Sequence, residues 1–462
     1  MKVRRERYLS RLIARKHDGF VKIVTGIRRC GKSFLLFNLF REHLISEGVD
    51  SGHIIGVDLE SKENVHLRNP NKLFDFIVSL LPDDGKWTYV FIDEVQMCRK
   101  VLQPGVKLRD IAPEDRQDAY ITFYDILNSL RKKPNVDVYV TGSNSKLLSK
   151  DVATNFRDRG VEIRLHPFSF AEYLQATEYV DKSEALSAYM IWGGMPVAVM
   201  EADDVARAEY LKSLFSKVYI KDIIERNHLR TDAICESVLD VVSSSVGSLT
   251  NPNKLANTIN SRGVLKTAEP TVKAYLDYFV DSFLFAKAAR YEVRGRKYLL
   301  YPSKYYAEDV GLRNARLNFR EVEPTYLMEN IIYNELVLRG YNVDVGVVDV
   351  NRRDDEGKMV SCRYEIDFIV NAGFNKVYIQ SAYDMSRPGK AEQETKSLKL
   401  TADFFQKIVV GNGYGQLRPD EDGILHVGVI PFLLDTSILD GIIKEAKSSQ
   451  RRMIEALPSV TN

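Results

Sequence analysis

Over the first third of the chain, short β-branched apolar runs alternate with stretches whose apolar residues recur every three or four positions. That alternation predicts a parallel sheet with helical crossovers. The strand-like runs are Phe20–Thr25, Ile54–Leu59, Thr88–Asp93, Val136–Thr141 and Val161–Leu165, and a helix-compatible run, Ser33–Phe40, follows the first. Before them, Lys2–His17 is basic and amphipathic, with Val3, Leu9, Leu12 and Ile13 on one helical face. It has no apolar h-region, so it does not read as a signal peptide. The charged, Pro-containing stretch Arg99–Ile121 reads as a surface excursion.

Beyond residue 168 the pattern changes twice. From Ser169 to Asn227 it is helical, with Phe170, Tyr173 and Leu174, then Leu186, Tyr189 and Met190 at helical spacing. Trp192-Gly193-Gly194-Met195-Pro196 interrupts it as a tight reversal with Pro opening the next helix. From 228 to 320, three short helices (Ile234–Ser243, Asn253–Ile259, Thr271–Phe283) precede two strands, Leu284–Tyr291 and Lys297–Tyr301. A basic turn, Glu292–Arg296, joins the strands. Helices followed by a hairpin with a basic tip predict a winged helix-turn-helix. From Pro324 a second α/β unit begins: a helix from Glu329 to Gly340, then strands at Val343–Val345, Tyr364–Val370 and Lys376–Ser381.

The chemistry sits on these elements. Gly26-Ile27-Arg28-Arg29-Cys30-Gly31-Lys32-Ser33 fits G-x-x-x-x-G-K-[ST] between a strand and a helix, the context of a phosphate-binding loop. Its amides and Phe34 would surround ATP, Lys32 would reach the β- and γ-phosphates, and Ser33 would ligate Mg²⁺. Cys30 reads as a small loop residue. Asp93, at the end of its strand, would anchor the Mg²⁺ shell, with Glu94 as general base for water. Asn144 or Ser143, after the next strand, would sense the γ-phosphate. An acid beside the Mg²⁺ aspartate places the core in the AAA-like branch of P-loop proteins. Arg157 and Arg159 stand where a finger arginine for a neighbouring subunit could lie, or on a solvated loop. The expected organisation is an AAA-like ATPase core over 1–168, a helical lid over 169–227 and a winged helix over 228–320. A restriction-endonuclease-like α/β domain and tail would fill 321–462.

In that last domain Glu335 or Glu329, with Asp367 and Gln380, would approach one metal ion. Gln380-Ser381-Ala382 lacks the lysine that activates water in such sites, so the reading is a nuclease-like shell kept for DNA or protein contact. An ATP-gated nuclease using Glu365, Asp367 and Gln380 is the alternative.

Composition narrows the classes further. The 462 residues carry 65 Lys and Arg against 63 Asp and Glu, so global charge names no partner. Between Leu284 and Arg320 the balance is locally basic, nine against three; this favours DNA contact, although many winged helices bind only protein. The four cysteines are scattered, arguing against zinc or a disulfide framework and for a reducing compartment. No apolar run is long enough to span a membrane, and a cytoplasmic location is expected.

The segments GIRRCGKS, VFIDEVQ, VYVTGSNSKLLS, HPFSFAEYL, WGGMP, KYYAEDVGLRN, YLMENIIYNELVLRGY, EIDFIV and YIQSAYD stand in order along the chain. With them the sequence resembles a family of bacterial and archaeal AAA-type ATPases with a C-terminal domain of unknown function 4143. The resemblance implies ATP binding through Gly31, Lys32, Ser33 and Asp93, a winged-helix segment and a nuclease-like C-terminal fold. The family's Gly-Arg after the sensor strand is here Asp158-Arg159-Gly160. Two other functions stay open beside a DNA-bound ATPase: a regulatory ATPase acting on a protein partner, and the nuclease. A homo-oligomer is compatible with each.

Overall fold

The computed structural model describes residues 3–116, 118–143, 159–220, 223–224, 233–261, 266–353, 357–373, 375–385 and 389–444. The chain forms two compact units, Met1–Pro167 with Asp281–Phe283, and Phe168–Val280 with Leu284–Asn462.

In the first unit, β1 (Val21–Thr25), β2 (Ile54–Asp58), β3 (Thr88–Asp93), β6 (Val136–Gly142) and β7 (Gly160–Arg164) form an all-parallel sheet in the order β2-β3-β6-β1-β7. Every residue of β1, β3 and β6 is buried, as expected of strands covered on both faces. Leu73, Ile77, Leu127 and Leu130 cover one face together with strand valines and isoleucines. On the other, Phe40 packs 4.8 Å from Tyr139 and 5.8 Å from Phe91, ring centre to ring centre. The Arg99–Ile121 excursion closes on itself through a short antiparallel pair, β4 (Val101–Leu102) with β5 (Tyr120–Ile121).

A charged residue lies where the pattern led one to expect only apolar ones. Lys22, in the middle of β1, is fully buried, and its ammonium contacts the carboxylates of Asp18 and Asp137. Tyr139 donates to the second oxygen of Asp137 at 2.8 Å. A buried charge is tolerated only when paired in this way, and the pairing ties β1 to its neighbour β6.

The second unit opens with helices Phe170–Ala176, Lys182–Trp192, Pro196–Met200 and Asp204–Leu214. The Gly-Gly reversal among them is held by the segment Asp309–Asn314. Asp309 accepts hydrogen bonds from the amides of Gly194 (2.6 Å) and Leu312 (2.9 Å), and Asn314 donates to the carbonyls of Met190 and Ile191. Gly193 has φ 70°, and a Cβ there would fall 2.3 Å from the Asp309 carboxylate. The two sequence segments WGGMP and AEDVGLRN are therefore the halves of one lock.

Helices Ala233–Ser244, Pro252–Ser261 and Glu269–Asp281 form where expected. The hairpin that follows does not stand alone. With β8 (Leu249–Thr250), β9 (Phe285–Glu292) and β10 (Lys297–Ala307), it continues into β11 (Asn342–Arg353), β12 (Met359–Ala372), β13 (Asn375–Ala382), β14 (Gln406–Gly411), β15 (Arg418–Pro419) and β16 (Leu425–Gly428). The nine strands make one sheet, in the order β15-β16-β14-β13-β12-β11-β9-β10-β8. The seam is a parallel pairing of β9 with β11 at Arg290–Val345, Tyr291–Gly346 and Glu292–Val347. The expected division at 320/321 is thus not a division of packing, and the hairpin is an inner part of a sheet instead of a free wing. The pattern of alternation reports which face a strand buries, not which strand lies beside it.

Candidate nucleotide site

The phosphate loop leaves the end of β1 and enters a helix that is α over Lys32–Phe34, π over Leu35–Phe40 and α again over Arg41–Ser46. Gly26 has φ 141° and Gly31 φ 101°, both outside the reach of ordinary side chains. A Cβ on Gly26 would lie 2.0 Å from the Leu165 carbonyl oxygen, so the loop passes hard against the end of β7. Cys30 is fully buried and its thiol also contacts that carbonyl, at 3.5 Å, which fits its reading as a small packing residue. Arg29 takes a positive φ of 68°, and Arg28 pairs with Glu60 at 2.7 Å. Ser33 and Phe34 face solvent at the helix start.

The Lys32 ammonium is buried, 3.1 Å from the Gly26 carbonyl and 3.2 Å from that of Ile27. An ammonium has three donors, so those two bonds leave one for a phosphate oxygen. Both requirements of a triphosphate cradle are met by this chain: a loop whose glycines bring the backbone close, and a cation fixed within it.

Asp93 and Glu94 sit at the end of β3, both buried, and Glu94 takes φ 49° and ψ 52°. β6 lies between β1 and β3, which places its last residues against this acidic pair. Thr141 donates its hydroxyl to Asp93, and its oxygen accepts the Glu94 amide at 2.9 Å. Ser143 Oγ lies 3.2 Å from Glu94 Oε2, and the Gln96 amide group touches both Glu94 and Ser143. Of the two sensor candidates, Ser143 is in contact with the acid; Asn144 and Arg157 lie outside the described residues. Asp93 and Ser33 carry the hard oxygens that could hold Mg²⁺.

Arg159 lies at the opposite end of the sheet from the phosphate loop. Its carbonyl accepts the Val21 amide at 3.1 Å, at the entry of β7 and β1. The phosphate loop leaves the far end of β1, five residues and about 16 Å away at about 3.3 Å per residue. The polarity of a parallel strand separates the two, so Arg159 lies away from its own chain's phosphate loop, a position that leaves open both a finger for a neighbouring subunit and a solvated loop.

Three contributors escaped the sequence reading. Arg5, from the start of the first helix, donates to the His166 carbonyl at 2.6 Å and reaches the Cys30 carbonyl at 3.5 Å, bracing the loop from behind. Thr141 and Gln96 are the others. Thr141 could have been suspected as the polar end of an otherwise apolar strand; nothing local marks Arg5.

The metal candidates of the second unit form a different centre from the one expected. Glu335 pairs with Arg339 at 2.7 Å and is removed from the set. Glu329, Glu365 and Asp367 do converge, but around a lysine from β10, Lys304, at 2.8, 2.8 and 3.2 Å. Gln380 accepts the Asp367 amide at 3.4 Å. Burial and the adjacent Asp367 carboxylate push Glu329 above its usual range.

Comparisons with known proteins agree with the first unit. Residues 18–174 match an AAA domain, and residues 183–323 match a domain of unknown function, DUF8612. The fold and site thus define a P-loop ATPase-like protein of AAA type. An uncharacterised protein of Haemophilus influenzae is 32% identical over 436 residues, 94% of this chain and 98% of that one. The chain belongs to that protein's family. An uncharacterised protein of Methanocaldococcus jannaschii, MJ1544, is 25% identical over 89% of this chain and 87% of its own. Among solved structures, the Walker-type ATPase PABY2304 of Pyrococcus abyssi is similar over 68% of this chain and 98% of its own, at 17% identity and a TM-score of 0.44. Among the described residues, no helix is long and apolar enough to cross a membrane.

Proposed function

We propose that this protein binds ATP with Mg²⁺ in the first unit and hydrolyses it. The observation that carries the reading is that Lys32, buried in its glycine loop after β1, and the buried pair Asp93 and Glu94 after β3 stand at the same end of one parallel sheet, with Ser143 touching Glu94. When bound, Mg²⁺ would neutralise phosphate charge between Ser33 and Asp93. Lys32 would bind the β- and γ-phosphates, and Glu94 would take a proton from the attacking water. ATP turnover tests this. Wild type should release phosphate and Lys32→Ala should not; normal turnover by Lys32→Ala would refute the assignment.

For the second unit we propose that nucleotide state controls contact with DNA. Arg296, Lys297 and Arg320 are exposed and available for phosphate. Binding should weaken steeply with salt as counterions are released. No retardation of duplex or single-stranded DNA at low salt, with or without ATP, would remove the reading. A second reading, a protein partner, is favoured by where the local basic excess goes. Arg290, Lys304 and Arg313 are buried, Arg316 pairs with Asp240, and Arg294 donates to the Leu400 carbonyl. Lys273, on the solvent face of helix Glu269–Asp281, pairs with Asp277. Recovery of one stoichiometric protein and no nucleic acid would select it.

A further inference from the structure

The acidic centre of the second unit gathers three carboxylates around a cation of its own, Lys304. Glu365 and Asp367 share one face of β12, since they are two residues apart on a strand. Glu329 reaches them from helix Pro324–Leu338, and Lys304 from β10, 63 residues before Asp367 in the chain. The Lys304 side chain is only 3% exposed. Its nitrogen lies 2.8 Å from Glu329 Oε1, 2.8 Å from Glu365 Oε1 and 3.2 Å from Asp367 Oδ1. Three donors meet three carboxylates, so the ammonium is saturated.

The carboxylates are fixed by other partners as well. Tyr306, two residues along β10, donates to Glu329 Oε1 at 2.7 Å, and the Ser381 amide donates to Asp367 Oδ2 at 2.9 Å. Mg²⁺ or Mn²⁺ held by these oxygens would need six ligands at about 2.1 Å. The point equidistant from them is already taken by a positive charge. Among the described residues, no group of three or more His, Cys, Asp or Glu side chains could hold a metal ion.

We propose that Lys304 is a resident cation standing in for a divalent ion, and that it keeps the centre free of metal and therefore unable to cut phosphodiesters. The lysine missing after Gln380 is not restored as a water activator; another lysine enters from β10 and takes the metal's position. The three carboxylates and Lys304 then serve as an internal ion network that ties β10, β12 and helix Pro324–Leu338 together. Removing the ammonium leaves three carboxylates facing one another with no cation between them, and a divalent ion is then the charge that would relieve their repulsion.

The test uses the full chain, chelator-washed and free of nucleotide, titrated with Mn²⁺ and followed by the electron paramagnetic resonance of the free ion. Lys304→Met should gain one site, binding roughly tenfold or more tightly than any site in the wild type, because a like charge has gone. Adding Asp367→Asn to it should abolish the gain. A folded Lys304→Met protein that gains no site overturns the proposal. Should Lys304→Met not fold, wild type is compared with Asp367→Asn alone. Equal Mn²⁺ binding supports the proposal, and a wild-type site lost in Asp367→Asn overturns it. ATP turnover and DNA retardation in the same samples report separately on the function proposed above.

Discussion

Ser143 Oγ stands 3.2 Å from Glu94 Oε2, so the residue after β6 orients the acid after β3. Glu94 is also held in a left-handed backbone conformation that a non-glycine residue adopts only under constraint. An acid fixed from both backbone and side chain is prepared to meet a water at one position. Glu94→Gln should therefore retain ATP and lower turnover roughly 10²- to 10⁴-fold, the usual contribution of a general base. Ser143→Ala should lower the turnover number by roughly tenfold while leaving the KM for ATP unchanged. Steady-state phosphate release measures both, and a Ser143→Ala enzyme altered only in KM would contradict the positioning role.

Gly26 admits no side chain. Alanine there meets the Leu165 carbonyl at 2.0 Å and must also hold φ 141°. The loop must then leave β7, at a cost of about 3 kcal/mol or more. Gly26→Ala should lose ATP-induced thermal stabilisation and lower the unfolding midpoint. Calorimetry with and without ATP reads both effects, and an unchanged ATP-dependent shift would exclude the close approach.

Lys22 offers a test of the sheet itself. Lys22→Met leaves Asp137 buried without its ammonium, which costs about 3–5 kcal/mol. Urea unfolding should show the loss, and Lys22→Met combined with Asp137→Leu should recover much of it. A double variant as unstable as the single one would mean the pair is not coupled.

Asp309 makes part of the second unit's stability depend on pH. Burial raises its carboxyl from 3.8 to about 6, although three backbone amides lower it. A raised carboxyl binds its proton more tightly in the folded state, so its favourable contribution is complete below about 4 and is lost as pH rises through about 6. The shift corresponds to about 3 kcal/mol. Chemical unfolding at pH 4.5 and 7.5 should show a difference that Asp309→Asn reduces. A wild-type and Asp309→Asn difference constant across that range would rule the effect out.

Much of the candidate nucleotide site's geometry was legible because its signals are local. A glycine loop between a strand and a helix, and an acid pair at a strand end, are fixed by backbone conformation within a few residues. Gly26, Lys32, Asp93 and Glu94 could be named on that basis. Thr141, Gln96 and Arg5 could not, since their parts depend on strand order and on a helix over a hundred residues from the carbonyl at 166 that it braces. In the second unit, helices and strands could be read from periodicity, but the β9–β11 seam could not. Lys304 was invisible as a cluster member because alternation along β10 marks an inward position and not what waits there. Counting charges misled for the same reason, as Arg290, Lys304 and Arg313 add to a basic total while facing inward.

The β9–β11 seam governs how this polypeptide can be divided. A product ending between residues 307 and 342 would present β9 with its amides and carbonyls unmatched along one side, and the remainder would begin with β11 equally bare. Each piece would carry a sticky margin prone to pairing with any passing chain. Expression boundaries, tag insertions and exchanges between relatives that fall between β9 and β11 would sever this ladder.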